Sequence, residues 1–191
     1  HVYRLMITDQ AFARGVSPCA VQRGTEPEVR FIGWNLGPKM EEAQTHKLPP
    51  CDPNSDEAQA GALRHVASPN GETVLAAVVS SRVVVEAEPN NDSAKAQRLT
   101  LPCTVSGSIG APKDEDRFRF ALKKSEALNL RVHALRVHSP LDAVLRVEDA
   151  QGKVLKEADD DKEGDFDPSL SFKAAAEGAT DAANIMKPQL A

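Results

Sequence analysis

At 191 residues the chain has room for one large or two small domains, and 41% hydrophobic residues supply a core although only 4% are aromatic. A formal charge of −5 offers no basic face for nucleic acid or an anionic bilayer, and no run of about 18 apolar residues exists to insert into a membrane. Thirteen prolines and eleven glycines favour short strands and many turns over long helices.

In chain order, Tyr3, Leu5 and Ile7 share one face with Arg4 and Thr8 on the other, a half-buried strand closed by Asp9. Turn signals at Gly15-Val16-Ser17-Pro18 and Arg23-Gly24-Thr25-Glu26-Pro27 then bracket short β-rich runs, the last being Val29 to Gly37. Residues 38–72 are polar and rich in proline, and within them Glu57 to Val66 has the composition of a short helix. Val74 to Val79 and Val83 to Val85 are β-branched and predict strands, so a domain boundary is expected near Val85.

The next segment, Glu86-Ala87-Glu88-Pro89-Asn90-Asn91-Asp92, crowds carboxylates and amides around a proline that prevents helix. Oxygen donors at that density on a stiff segment suit a hard cation such as Ca²⁺. The alternative is a turn in which the same groups bond their own backbone. From Val105 onward strand alternation is clear. Phe118 and Phe120 face inward against Arg117 and Arg119. Leu128, Leu130, Val132 and Ala134 share a face, and Leu145 and Val147 precede an Asp149-Ala150-Gln151-Gly152 turn that returns through Val154-Leu155. Strands at this spacing argue for an antiparallel sandwich.

Other constellations carry less. Asp159, Asp160, Asp161, Glu163, Asp165 and Asp167 lack the spacing of an EF-hand and read as a solvated loop, with weak cation binding as the alternative. His133 and His138 fall on opposite faces of a regular strand, while His46 and His65 sit in polar surroundings without metal-site spacing. Cys19, Cys51 and Cys103 are far apart, which argues against zinc. They read as three reduced thiols, with one disulfide and one thiol as the alternative. No G-x-S-x-G is present, Ser106 lies in an expected strand, no carboxylate pair marks a glycosidase, and no Gly-rich phosphate loop occurs. No catalytic residue is assigned, and the chain is read as non-enzymatic.

Two family resemblances organise these pieces. Residues 10–85 contain Gly15-Val16-Ser17-Pro18 and the run Val29-Arg30-Phe31-Ile32-Gly33-Trp34-Asn35-Leu36-Gly37, which resemble an immunoglobulin-like segment of the IPT/TIG type over about 25 residues, with Cys19 where that pattern usually has glycine. Residues 86–178 resemble the bacterial pre-peptidase C-terminal (PPC) domain, a β-sandwich related to the collagen-binding domain of clostridial collagenases. The pieces that carry it follow the family's order: Glu88-Pro89-Asn90-Asn91-Asp92, Leu101-Pro102, Val105-Ser106-Gly107-Ser108-Ile109, Asp114-Glu115-Asp116-Arg117-Phe118-Arg119-Phe120, Ser139-Pro140-Leu141-Asp142, Asp149-Ala150-Gln151-Gly152, Asp159-Asp160-Asp161 and Asp167-Pro168-Ser169-Leu170-Ser171-Phe172.

The resemblance implies an all-β fold, a jelly-roll-like antiparallel β-sandwich preceded by a small Ig-like module. It also implies Ca²⁺ ligands at Glu86, Glu88, Asn90, Asn91 and Asp116. Asn91 replaces a carboxylate of calcium-binding relatives, and Lys113 stands at another acidic position, for which Asp114 can compensate. The family's closing pattern, G-x-Y-x-L-x-V-x-D, is missing after Gly178 and resembles instead Tyr3 to Asp9. Residues 1–9 are therefore expected to be the closing strand of an upstream module and residues 179–191 a tail. The second sandwich is left with an open edge that residues 2–8 of another chain could complete by strand exchange.

The implied function is a non-catalytic accessory module of a secreted or cell-surface bacterial protein, with the periplasm as an alternative site. Its expected partners are an extracellular polymer, a protein matrix or the other domains of its own parent. The alternatives are a fragment of a secreted peptidase with its catalytic domain elsewhere, or a structural repeat of an adhesin-like stalk. Collagen attachment through aromatics fits poorly, because Tyr3 and Trp34, the only tyrosine and tryptophan, lie outside the PPC-like module.

Overall fold

Runs of alternating apolar and polar residues, each cut off by proline, glycine or an acidic turn, form strands throughout a computed structural model describing residues 7, 9–36, 45–68, 71–112, 114–160, 167–175 and, as backbone, 180–186. The fold is all-β, an arrangement of small, mostly antiparallel sheets. It divides into two compact units, His1–Ser80 and Ser81–Ala191.

The first unit holds β1 (Phe12–Ser17), β2 (Ala20–Gln22), β3 (Glu28–Trp34), β4 (Thr45–Lys47), β5 (Leu63–Ala67) and β6 (Thr73–Val79), in sheets ordered β1-β3-β4 and β2-β6-β5. Period-two alternation decides the layering. On β3, Val29 and Phe31 are buried while Arg30, Ile32 and Trp34 face out. Val16, Val29 and Phe31 of one sheet meet Val21, Val66, Val74, Ala76 and Val78 of the other in a single core cluster. Each buried valine or phenylalanine there stabilises the unit by about 1.5–3 kcal/mol relative to exposure.

The helix expected over Glu57 to Val66 does not form. A single 3-10 turn spans Asp56–Ala58, Gly61 takes φ +87, and Leu63 onward pairs antiparallel with β6. A left-handed glycine ends a helix, and the Leu63-Arg64-His65-Val66 alternation has a sheet edge to pair with. The three cysteines are reduced. The strand expected at residues 2–8 lies outside the described residues, apart from Ile7.

The second unit contains β7 (Arg82–Val85), β8 (Gln97–Arg98), β9 (Cys103–Ser106), β10 (Glu115–Ala121), β11 (Ala127–Arg131), β12 (Val144–Glu148), β13 (Val154–Ala158), β14 (Ser169–Lys173) and β15 (Thr180–Met186). A five-stranded sheet is ordered β13-β12-β15-β10-β8, accompanied by the pairs β11-β14 and β7-β9. The division between units falls before β7, not after it, because Arg82–Val85 runs parallel to Cys103–Ser106 within the second unit. Phe118 and Phe120 are buried as their alternation required, and Leu145 and Val147 pack against Leu170, with Leu130 and Phe172 completing the layer. The β12–β13 hairpin turns through Asp149 to Gly152, where Gly152 has φ +82 and the Asp149 carboxylate accepts the amides of Gln151 and Lys153 at 3.0 and 2.9 Å.

One expectation is overturned. Residues 179–191 are not merely a tail: Thr180–Met186 forms β15, inserted between β10 and β12 and antiparallel to both. The position between β10 and β12 is therefore filled by a strand of the same chain, one whose sequence carries no tyrosine. Main-chain groups on both flanks supply its hydrogen bonds, and that demand does not depend on side-chain identity. With the slot filled from within the chain, strand exchange into it has no vacancy to use.

Candidate metal centre

Glu86 leaves the end of β7 with its amide still bonded to the Ser106 carbonyl, at 3.0 Å, so the ladder with β9 sets its position. Its side chain turns onto the Gly107-Ser108 bend, where the Ser108 N–H donates to Glu86 Oε2 at 2.5 Å. A Cβ at 107 would lie 2.2 Å from that same oxygen, so a side chain there would push the Glu86 carboxylate off the Ser108 amide. Gln97 clamps the neighbouring backbone, accepting from the Ala87 amide at 2.9 Å and donating to the Val85 carbonyl at 3.0 Å. Glu88 Oε2 accepts the Asn90 amide at 2.9 Å.

From the other side comes Asp116 on β10, buried by the strand alternation that also buries Phe118 and Phe120. One carboxylate oxygen from each of Glu86, Glu88 and Asp116 lies within 4.8 Å of the others. Glu88 is exposed, Glu86 half-buried and Asp116 buried, so the group forms a pit with one open wall.

The electrostatics are unfavourable as they stand. Burial pushes the Glu86 carboxyl up to about 8; the Ser108 amide opposes this, while Glu88 and Asp116 reinforce it. Asp116 is raised to about 6, first by burial and then by the charge of Asp114, with Glu88 adding to it and Glu86 opposing. Glu86 Oε1 and Asp116 Oδ1 are buried without a hydrogen-bond partner, as are both side-chain atoms of the fully buried Asn90. Three converging carboxylates, two of them with a buried oxygen that has no hydrogen-bond partner, form an all-oxygen donor set of the type hard divalent ions take. All three donors are carboxylate oxygens, with no nitrogen or sulfur donor in the group.

Of the six expected ligands, Glu86, Glu88 and Asp116 are brought together. Asp114 is adjacent but committed elsewhere, with Oδ2 accepting the Gly110 amide at 2.7 Å and Oδ1 accepting the Asn91 side-chain amide. It and Asn91 are bonded to each other, and the charge of Asp114 acts on Asp116 from beside the group. Asn90 stays a donor candidate through its unpaired amide oxygen. Lys113 lies outside the described residues. Gly107 and Ser108 are the residues whose site role sequence reasoning missed: they act through an absent side chain and a backbone amide, and the Gly-Ser bend after a strand was the available signal.

The second acidic run does not act as one body. Asp159 and Asp160 join Asp142 in an exposed trio, and Asp161, Glu163 and Asp165 lie outside the described residues. Asp167 is fully buried, and its Oδ1 accepts the amides of Ala134 and Leu135, each at 2.9 Å. It is a structural acceptor for the 3-10 turn Leu135–Val137, not part of a solvated loop. Among the described residues neither acidic trio contains a histidine; His46 packs edge-on against Phe31, and His65 meets Glu57 at 2.6 Å. No helix of the described residues is long and apolar enough to cross a membrane. No protein-family model and no curated protein matches the chain.

Proposed function

We propose that the chain is a non-catalytic accessory module of a secreted or cell-surface protein, of the PPC type in its second unit, and that Ca²⁺ stabilises that unit. The observation that carries the calcium reading is the convergence of Glu86, Glu88 and Asp116, one carboxylate oxygen of each within 4.8 Å of the others, with Glu86 Oε1 and Asp116 Oδ1 buried without a partner. A cation there relieves their mutual repulsion and ties the segment after β7 to β10 and to the Gly107-Ser108 bend. Support for the PPC reading is the ordered series of motif pieces over residues 86–178, among them Glu88 to Asp92 and Asp114 to Phe120, which supply the converging oxygens. The role that follows is mechanical: a rigid module for spacing or attachment, its partner an extracellular polymer, a protein matrix or another domain of its parent.

Calorimetric titration of the full chain with Ca²⁺, beside thermal unfolding in EDTA and in excess Ca²⁺, tests the reading. At about a hundred times its dissociation constant the ion is expected to stabilise by about 2.7 kcal/mol. Glu86→Gln and Glu88→Ala are each expected to abolish the binding heat and the shift. A melt indifferent to Ca²⁺, with no binding heat, refutes the calcium reading.

A further inference from the structure

The outer face of the first unit's β1-β3-β4 sheet carries a feature that the calcium reading leaves unused. Phe12 and Trp34 stand opposite each other in the β1–β3 register, with ring centroids 5.8 Å apart and planes 26° from parallel. The Arg14 guanidinium sits over the indole, 5.5 Å from the ring centroid. Trp34 is the only tryptophan of the chain, yet it stays 51% exposed, and Ile32 on the same face is 42% exposed. Gly33 permits this close pairing, since a Cβ there would lie 1.9 Å from the Phe12 carbonyl oxygen.

Next along the face, Gly15 lies opposite Ile32 with open space where its side chain would be, and Ser17 lies opposite Arg30. Arg30 and Trp34 are four residues apart on one strand, so the platform runs about 13 Å. Among the described residues no carboxylate pairs with Arg14 or Arg30, although the chain as a whole carries a net charge of −5.

We infer that this face, a Phe12–Trp34 platform rimmed by Arg14 and Arg30, binds an acidic saccharide whose rings carry carboxylates. A pyranose ring lays its C–H bonds on an aromatic surface, and each uronate carboxylate finds a guanidinium, the group best shaped to receive it. The open space above Gly15, beside exposed Ile32, leaves room for a further ring. An acidic peptide adding as a strand is the less suitable occupant. β1 is the sheet's edge, and the register break between Ala13 and Gly15 interrupts the line of main-chain groups that such a peptide would pair with. The assignment uses the first unit only and is independent of calcium.

The single tryptophan makes the test direct. The full chain is titrated at low salt, in EDTA, with a galacturonic acid trisaccharide and separately with neutral maltotriose, following Trp34 emission and saturation-transfer NMR of the sugar. Saturable binding of the acidic trisaccharide is expected, at least tenfold tighter than maltotriose. Arg14→Gln and Arg30→Gln should each weaken it about tenfold, the effect of losing one charge-assisted contact. Trp34→Ala should abolish the NMR transfer while the circular dichroism spectrum is retained. The assignment is overturned by silence in both readouts, by equal affinity for the neutral sugar, or by arginine variants that bind like the parent. Sedimentation showing a dimer that Trp34→Ala dissolves overturns it too, since a second copy would then own the face.

Discussion

Raising the pH of the calcium-free protein from about 5 to about 9 is expected to destabilise its second unit, the reverse of the behaviour of ion-paired carboxylates. Glu86 in the fold is raised to about 8 and Asp116 to about 6, against ordinary values of 4.5 and 3.8. A group whose folded value lies above its unfolded value contributes stability that is complete below the unfolded value and is lost as pH climbs through the folded one. The loss therefore begins above about 4, where the unfolded chain gives up these protons while the fold keeps them, slackens once Asp116 ionises near 6 and is complete once Glu86 has done so, above 8. Taken undiminished, the Glu86 displacement would be worth roughly 5 kcal/mol. The carboxyl is only half-buried, and solvent screening reduces the expected effect to about 2 kcal/mol. For a unit of this size that corresponds to a fall of about 8 °C in Tm. Excess Ca²⁺ should reverse the slope, because the metal needs the ligands deprotonated. Thermal melts of the full chain followed by circular dichroism, with and without EDTA, read both curves. Glu86→Gln, which holds the neutral form permanently, should flatten the EDTA curve above about pH 6. An EDTA curve that rises with pH through this range, or a variant that declines as steeply as the parent, refutes the argument that burial holds these protons.

Three further outcomes follow from the packing. Gly107→Ala forces a Cβ to within 2.2 Å of Glu86 Oε2 and should weaken calcium binding at least tenfold by titration calorimetry, about 1.4 kcal/mol. Asp167→Ala strands the amides of Ala134 and Leu135 and should cost about 3 kcal/mol in urea unfolding, whereas Asp167→Asn, which keeps an acceptor oxygen, should cost clearly less. A stop codon after residue 179 removes β15 from between β10 and β12, and proton NMR of the shortened chain should show the second unit's dispersed signals lost and the first unit's retained.

Strand positions were open to reading where one face is buried. Phe118 and Phe120, Leu145 and Val147, and the Asp149–Gly152 turn all follow from period-two patterning and turn chemistry, which are local. The convergence of Glu86 and Glu88 with Asp116 is not local, and only the family resemblance brought those distant segments together. Other features left no side-chain signal. The Ser108 amide and the missing Cβ of Gly107 are backbone properties, and β15 is held by main-chain pairing on both flanks. Asp167 misled for a related reason. In an acidic run it counts as solvated, but the amides of Ala134 and Leu135, remote in sequence, give it a buried role. Glu57 to Val66 shows the converse: its composition tolerates helix, and pairing with β6 outweighs that weak preference.

The placement of β15 also orders events in time. β10 and β12 leave the ribosome first, and each awaits the same partner, which is synthesised after both. Until Thr180–Met186 emerges, neither can complete the centre of its sheet, and each presents a bare edge to whatever strand is near. Assembly of the second unit is therefore a late, all-at-once event, while the first unit, whose pairings all lie within His1–Ser80, can settle as soon as it is made. During that interval the nascent chain is most exposed to mispairing, and chaperone protection has the most to offer it.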